Sequence, residues 1–180
     1  MHEPGVERPE PGEYDPYYAS YVERVPAGRV IETLRSQEQE FSDLLSGIDE
    51  EQATFRYAED KWSIKEVVLH MIDTERVFAY RALRFSRNDT TPLPGFEQDD
   101  YVREGNAGER TLRDLLQEYR AVRAATLALF RGMTEAMLAR RGIANEAEMT
   151  VRAVPWIVAG HERHHAEILK ERYLAGARSV

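Results

Sequence analysis

The chain has 180 residues, 42% of them hydrophobic and 31% charged, which suits one domain with a sizeable buried core. A formal net charge of −8 argues against a nucleic-acid backbone or an anionic membrane surface as partner. With no cysteine, disulfides, thiolate zinc sites and a cysteine nucleophile are excluded, a composition in keeping with a reducing cytosol.

Residues 1–26 read as an extended N-terminal arm. "MHEPGVERPEPGEYDP" is polar and has no apolar core segment, so it is not expected to act as a signal peptide. Pro4, Pro9, Pro11, Pro16 and Pro26 oppose a long helix. Tyr14, Tyr17, Tyr18 and Tyr21 make the arm too aromatic for a disordered tail, and "EYDPYYASYVERVP" is expected to pack on the body. Residues 27–180 then form a single helical domain. In "RVIETLRSQEQEFSDLLSGI" the residues Val30, Ile31, Leu34, Phe41, Leu44, Leu45 and Ile48 recur at helical spacing, with Gly47 marking the end. A second helix opens at Ser63, with Glu66 completing a capping box, and runs to about Ser86. A third starts behind Thr111, whose cap role Asp114 supports. A short turn is expected at "TEAMLARR". The last helix is "TVRAVPWIVAGHERHHAEILKERYL", with Thr150 as cap and Pro155 near its first turn. No segment alternates with period two, so no sheet is expected. Four long amphipathic helices predict an all-α four-helix bundle. The connection "NDTTPLPGFEQDDYVREGNAGE" exceeds the usual bundle loop of about two to eight residues, which predicts a long crossover. No apolar run approaches the ~20 residues of a membrane span, so a cytoplasmic protein is expected.

"GHERHHAEIL" contains H-E-x-x-H: His161, Glu162 and His165. At about 100° per residue, His161 and His165 lie roughly 40° apart on the apolar stripe of Val154, Val158, Ile168 and Leu169. Arg163 and Glu167 fall on the opposite face and His164 at the stripe's edge. Two imidazoles a turn apart on a core face can aim at one metal ion. The other histidines are His2, in the arm, and His70, on the flank of the second helix beside Thr74 and Val77. His70, His161 and His165 together would make a three-histidine site with open positions. A hydrogen-bonded core pair with His70 at the surface is the other reading, and spacing alone leaves both open. The peptidase reading is weak. Position 168 is Ile and position 171 is Glu where a metzincin needs Gly and His, Glu167 and Glu171 share the helix of the first two ligands, and no strand edge is present to bind a peptide. Glu162, roughly 80° from the stripe centre, reads as a helix-flank residue or as a partner that supports a ligand.

"KWSIKEVVLHMIDTERVFAYR", "PWIVAGHERHHAEILKERYL", "PLPGFEQDDYV" and "YYASYVERVP" together resemble the DinB/YfiT-like superfamily over nearly the whole chain. The resemblance implies an up-down-down-up bundle, often a homodimer, with a divalent metal on three histidines. Mapped on the motifs, these are His70, His161 and His165, while His164 is not at a ligand position. It also implies activity on a small-molecule substrate, either with a low-molecular-weight thiol as cosubstrate, as in S-transfer, or with an activated water, as in hydrolysis. A non-catalytic metal-binding or dimerising stress-related scaffold is the alternative. Three imidazoles suit Zn, Ni, Fe and Cu alike. Asp73 and Glu75 are candidates to orient an imidazole or are simply solvated. Trp62 is expected to pack in the core or line a pocket, and Asp100 and Tyr101 are candidates to cover the site. Arg76, Arg81 and Arg84 give the second helix a basic flank, for an anionic substrate or for pairing with nearby acids.

Overall fold

The computed structural model describes residues 5–175; His2 and Pro4 of the arm lie outside the described residues. The arm is not extended throughout. Pro11 and Pro16 each occupy the first position of a 3₁₀ turn, Pro11–Glu13 and Pro16–Tyr18, because a φ fixed near −65° starts a helical turn as readily as it ends one. The second turn runs into helix α1, Ala19–Arg24. Val6, Tyr14, Val22 and Val25 are buried against the body. Arg152 binds the Glu13 carboxylate at 2.7–3.0 Å, and the Trp156 indole donates to the Glu7 carbonyl at 3.0 Å.

The body follows as α2 (Val30–Leu44), α3 (Glu50–Ala53), α4 (Ile64–Ser86), α5 (Gln98–Glu104), α6 (Leu112–Arg131), α7 (Glu135–Leu138), strands β1 (Arg141–Ala144) and β2 (Ala147–Thr150), and α8 (Ala153–Ile168). A wider π turn, Leu169–Tyr173, continues α8. Two caps work as their sequence signals predict: Ser63 Oγ accepts from Glu66 N–H while the Glu66 carboxylate accepts from Ser63 N–H, and Thr111 Oγ1 accepts from Asp114 N–H. Thr150 instead ends β2; its Oγ1 accepts from Ala153 N–H, but the cap position of α8 falls to Arg152, which makes no side-chain cap bond. Behind α2 the chain turns at Gly47, where φ is +86°.

The four long helices form the bundle in the order α2, α6, α4, α8 around its axis. One apolar cluster joins Val30, Ile31 and Leu34 of α2 to Phe78 and Phe85 of α4, Phe130 of α6 and Val154 of α8. At the other end Phe41 meets Val68, Leu115 and Leu169. Helices α2 and α8 therefore run one way and α4 and α6 the other, an up-down-down-up order. Two parallel neighbours cannot be joined by a short loop, so residues 87–111 must return the length of the bundle. Between the two apolar clusters lies a polar layer of Gln37, Thr74, Glu75, Arg123, Thr126 and Glu162, all buried.

One expectation fails: β1 and β2 pair as an antiparallel hairpin, Arg141 opposite Thr150 and Ala144 opposite Ala147. Its two-residue loop, Asn145–Glu146, has φ of +53° and +65°, as the twist of a tight hairpin demands. Four residues per strand are too few to display an alternation. Leu93 of the crossover joins this hairpin, donating to Ile143 O at 2.9 Å and accepting from Asn145 N–H at 3.0 Å, which fixes the crossover over the bundle. Among the described residues, no helix is long and apolar enough to cross a membrane.

Candidate metal centre

His70 sits in the second turn of α4, and His161 and His165 one turn apart on α8, which packs against α4. The Nε2 atom of His161 lies 3.0 Å from that of His70 and 3.1 Å from that of His165, so the sequence-predicted trio meets at one point. His164 does not join it and turns to the arm, where Tyr21 packs edge-on against both His161 and His164 at 5.5 and 5.6 Å between ring centres. Trp62, just before α4, lies 4.7 Å from the His70 ring.

Burial, reinforced by the neighbouring imidazoles, favours the neutral rings. It pulls His70 down to about 4 and His165 to about 3, and holds His161 well below its ordinary value. A neutral imidazole nitrogen offers either one proton or one lone pair. Nε2 of His161 can therefore make a good hydrogen bond to one of its two close neighbours, and the other contact is left without one. A cation at the meeting point satisfies all three lone pairs. Imidazole nitrogens sharing a tetrahedral ion at about 2.0–2.1 Å stand about 3.3 Å apart, a few tenths of an ångström beyond the spacing of the trio. The donor set thus fits a divalent ion.

The remaining candidates separate cleanly. Glu162, expected on the helix flank, is buried: its carboxylate accepts from Arg123 Nη2 at 2.5 Å and from Tyr119 Oη at 2.9 Å. Glu75, from α4, holds the same guanidinium at 2.8–3.2 Å. Burial opposes the charge on Arg123, but Glu162 and Glu75 keep it well above the ordinary arginine range. Glu162 is thereby engaged in bracing α6 against α8 and is not turned to the histidines as a base would be. Asp73 sits 3.7 Å from Arg76; neither Asp73 nor Glu75 is hydrogen-bonded to His70 among the described residues. Asp100 pairs with Arg103 at 2.7 Å and Tyr101 packs on Phe96, so the crossover covers the site with slightly earlier residues.

Those residues wall a cavity of about 280 Å³ that starts at His70 and His161. Tyr17, Tyr18 and Tyr21 of the arm form one side, Gly95, Phe96, Glu97 and Gln98 of the crossover another, and Thr74, Phe78 and Arg81 of α4 the floor. The sequence placed Thr74 beside His70 without giving it or Phe78 a role at the site, although their spacing from His70, one and two turns on, carried the signal.

Residues 33–169 match the family model of the DinB superfamily, while no curated protein matches the chain. Among solved structures, the fold is similar to that of YfiT from Bacillus subtilis, described as a probable metal-dependent hydrolase with an unusual four-helix bundle topology. The TM-score is 0.74 at 16% identity, over 98% of this chain and 100% of that one. It is also similar to the mycothiol-dependent maleylpyruvate isomerase, with a TM-score of 0.66 at 12% identity, over 81% of this chain and 61% of the isomerase. At such identities the likeness speaks for the fold. With the family model matched over most of its length, the chain belongs to the DinB superfamily.

Proposed function

We propose that this protein is a metal-dependent enzyme acting on a small molecule, with a divalent ion on Nε2 of His70, His161 and His165. The observation that carries the reading is the convergence of three neutral imidazole nitrogens at the end of a cavity. Three protein ligands leave coordination positions free, as in reactive rather than structural sites. When bound, such an ion lowers the pKa of a water or a thiol, so that a nucleophile exists near neutral pH. The chain's own residues contribute the rest. Burial keeps the three lone pairs unprotonated, Tyr21 and Trp62 screen the rings from bulk water, and Arg123 locks the helices that carry them. The names of the two structural relatives favour two nucleophiles, water for a hydrolase and a low-molecular-weight thiol for a mycothiol-dependent enzyme. Zn, Ni and Fe all suit the donor set.

Elemental analysis of untagged protein, beside His70→Ala and His165→Ala, tests the centre. The expected result is near-stoichiometric metal in the wild type and its loss in both variants. Wild type that stays metal-free after incubation with divalent ions sinks the proposal and leaves a non-catalytic scaffold. Turnover of ester and amide substrates without added thiol then marks hydrolysis, and turnover of electrophiles that requires thiol marks transfer.

A further inference from the structure

Helix α4 carries three arginines along one flank, and the structure treats them differently. Arg76 pairs with Glu118 and lies near Asp73. Arg84 pairs with Asp89 and donates to Tyr80 Oη. Arg81, only 2% exposed, has no carboxylate within ion-pairing distance among the described residues. Its guanidinium lies 4.9 Å from the Phe78 ring centre, beside the Tyr18 hydroxyl, and makes one long bond, 3.4 Å, to the Pro94 carbonyl. The same fold supplies two carboxylates to Arg123, its other deeply buried arginine of the bundle. Arg81 also lines the cavity that begins at the histidines.

A second observation points the same way. Thr74 Oγ1, between His70 and Arg81 on the same face of α4, is buried without a hydrogen-bond partner. His70, Thr74, Phe78 and Arg81 form a ladder whose ends are about 16 Å apart along the helix axis at 1.5 Å per residue. Helical side chains lean toward the helix N-terminus, so the arginine reaches back toward the histidines. A single guanidinium offers a planar fork that matches the two oxygens of a carboxylate. Asp15 and Glu97 also line the cavity, and their charges disfavour a phosphate dianion.

We propose that Arg81 is the anion-recognition residue of this cavity, and that the substrate is a small carboxylate with an apolar body, its carboxylate on Arg81 and its reacting end at His70 and His161. The last clause rests on the proposed metal enzyme; carboxylate recognition by Arg81 does not. The cavity, about 280 Å³, falls just below the roughly 300–1,000 Å³ of ligand pockets and so suits a small molecule, and Tyr17, Tyr18, Phe78 and Phe96 give the apolar body its walls.

The test is an NMR titration of ¹⁵N-labelled protein, read at the arginine Nε–H signals, with 3-phenylpropionate and its uncharged isostere 3-phenylpropionamide. It is run on metal-loaded wild type, on wild type stripped by chelator, and on Arg81→Gln. The acid is expected to bind at least about tenfold more tightly than the amide, the scale of a charge-assisted hydrogen bond, in loaded and stripped protein alike. That preference is expected to vanish in Arg81→Gln while its metal content is unchanged. Equal binding of acid and amide, no binding of either, or a preference that survives Arg81→Gln overturns the proposal. So does a preference that disappears on stripping, since the carboxylate would then be seeking the ion. Should Arg81→Gln not fold, Arg81→Lys keeps the charge without the fork, and the preference must shrink there too. A wild type that holds no metal yet prefers the acid leaves Arg81 standing and defeats the metal reading alone.

Discussion

At the scale of single residues, the most consequential side chain after the histidines is Arg123, 1% exposed and held by Glu75, Glu162 and the Leu34 carbonyl. It ties four helices at one point, because α2, α4 and α8 each bring an acceptor to the guanidinium of α6. Removing it leaves two carboxylates uncompensated in the core. Arg123→Ala is expected to cost about 3–5 kcal/mol of unfolding free energy, measured by urea denaturation. A loss below about 1 kcal/mol would show that water reaches the layer. Little of this was legible in the sequence. The helical wheel places Glu162 off the centre of its own stripe, but burial there depends on which helix sits opposite, and a single helix does not encode its neighbour. The histidines were legible for the converse reason: their azimuth along α8 put them among Val154, Val158 and Leu169, all of them buried.

Among the elements, α1 lies close against α8 at Gly160. A Cβ on Gly160 would meet the backbone oxygen of Tyr21 at 1.9 Å and its carbonyl carbon at 2.4 Å. Backbone cannot swing aside as a flexible side chain can, so α1 would have to leave α8. Alanine is worth up to about 1 kcal/mol over glycine in a helix, whereas overpacking costs about 1–3 kcal/mol, and the clash should win. Gly160→Ala is therefore expected to lower the thermal midpoint and to raise hydrogen exchange over residues 14–25, where Tyr21 covers His161. A variant more stable than wild type would refute this account of the packing. The sequence announced the long helices well, because caps such as Ser63 with Glu66 and Thr111 with Asp114 are local. The arm was harder to read. Its prolines forbid a long helix yet begin short ones, and local rules do not weigh the two outcomes. The hairpin was missed because its signal sits in two left-handed loop residues, Asn145 and Glu146, the second of which is not a residue that favours that conformation.

Across the whole molecule, two apolar clusters pack on either side of a buried polar layer, with the three imidazoles held neutral next to it. This arrangement has a pH signature in metal-free protein. Above about pH 7.5 the histidines are essentially neutral both in the fold and in the unfolded chain, and contribute almost nothing to the difference. Below that, the unfolded chain takes up protons that His70 and His165 refuse until about pH 4 and 3. The unfolded state then binds more protons, so stability falls as the pH drops. The urea midpoint of chelator-treated protein is expected to be lower at pH 5.5 than at pH 7.5, a window above the ordinary carboxylate range. His165→Ala should show a shallower fall, and a flat wild-type response would mean that the histidines are solvated.

The crossover, residues 87–111, has a further consequence. The bundle forces the chain to travel back along its own length, and the returning segment is where Gly95, Phe96, Glu97 and Gln98 meet the cavity. None of these residues lies on a bundle helix, whereas His70, His161 and His165 all do. The three histidines proposed to hold an ion and this part of the cavity wall thus lie on separate stretches of chain. A change confined to the return segment is expected to alter which molecules the cavity admits while leaving the three histidines in place.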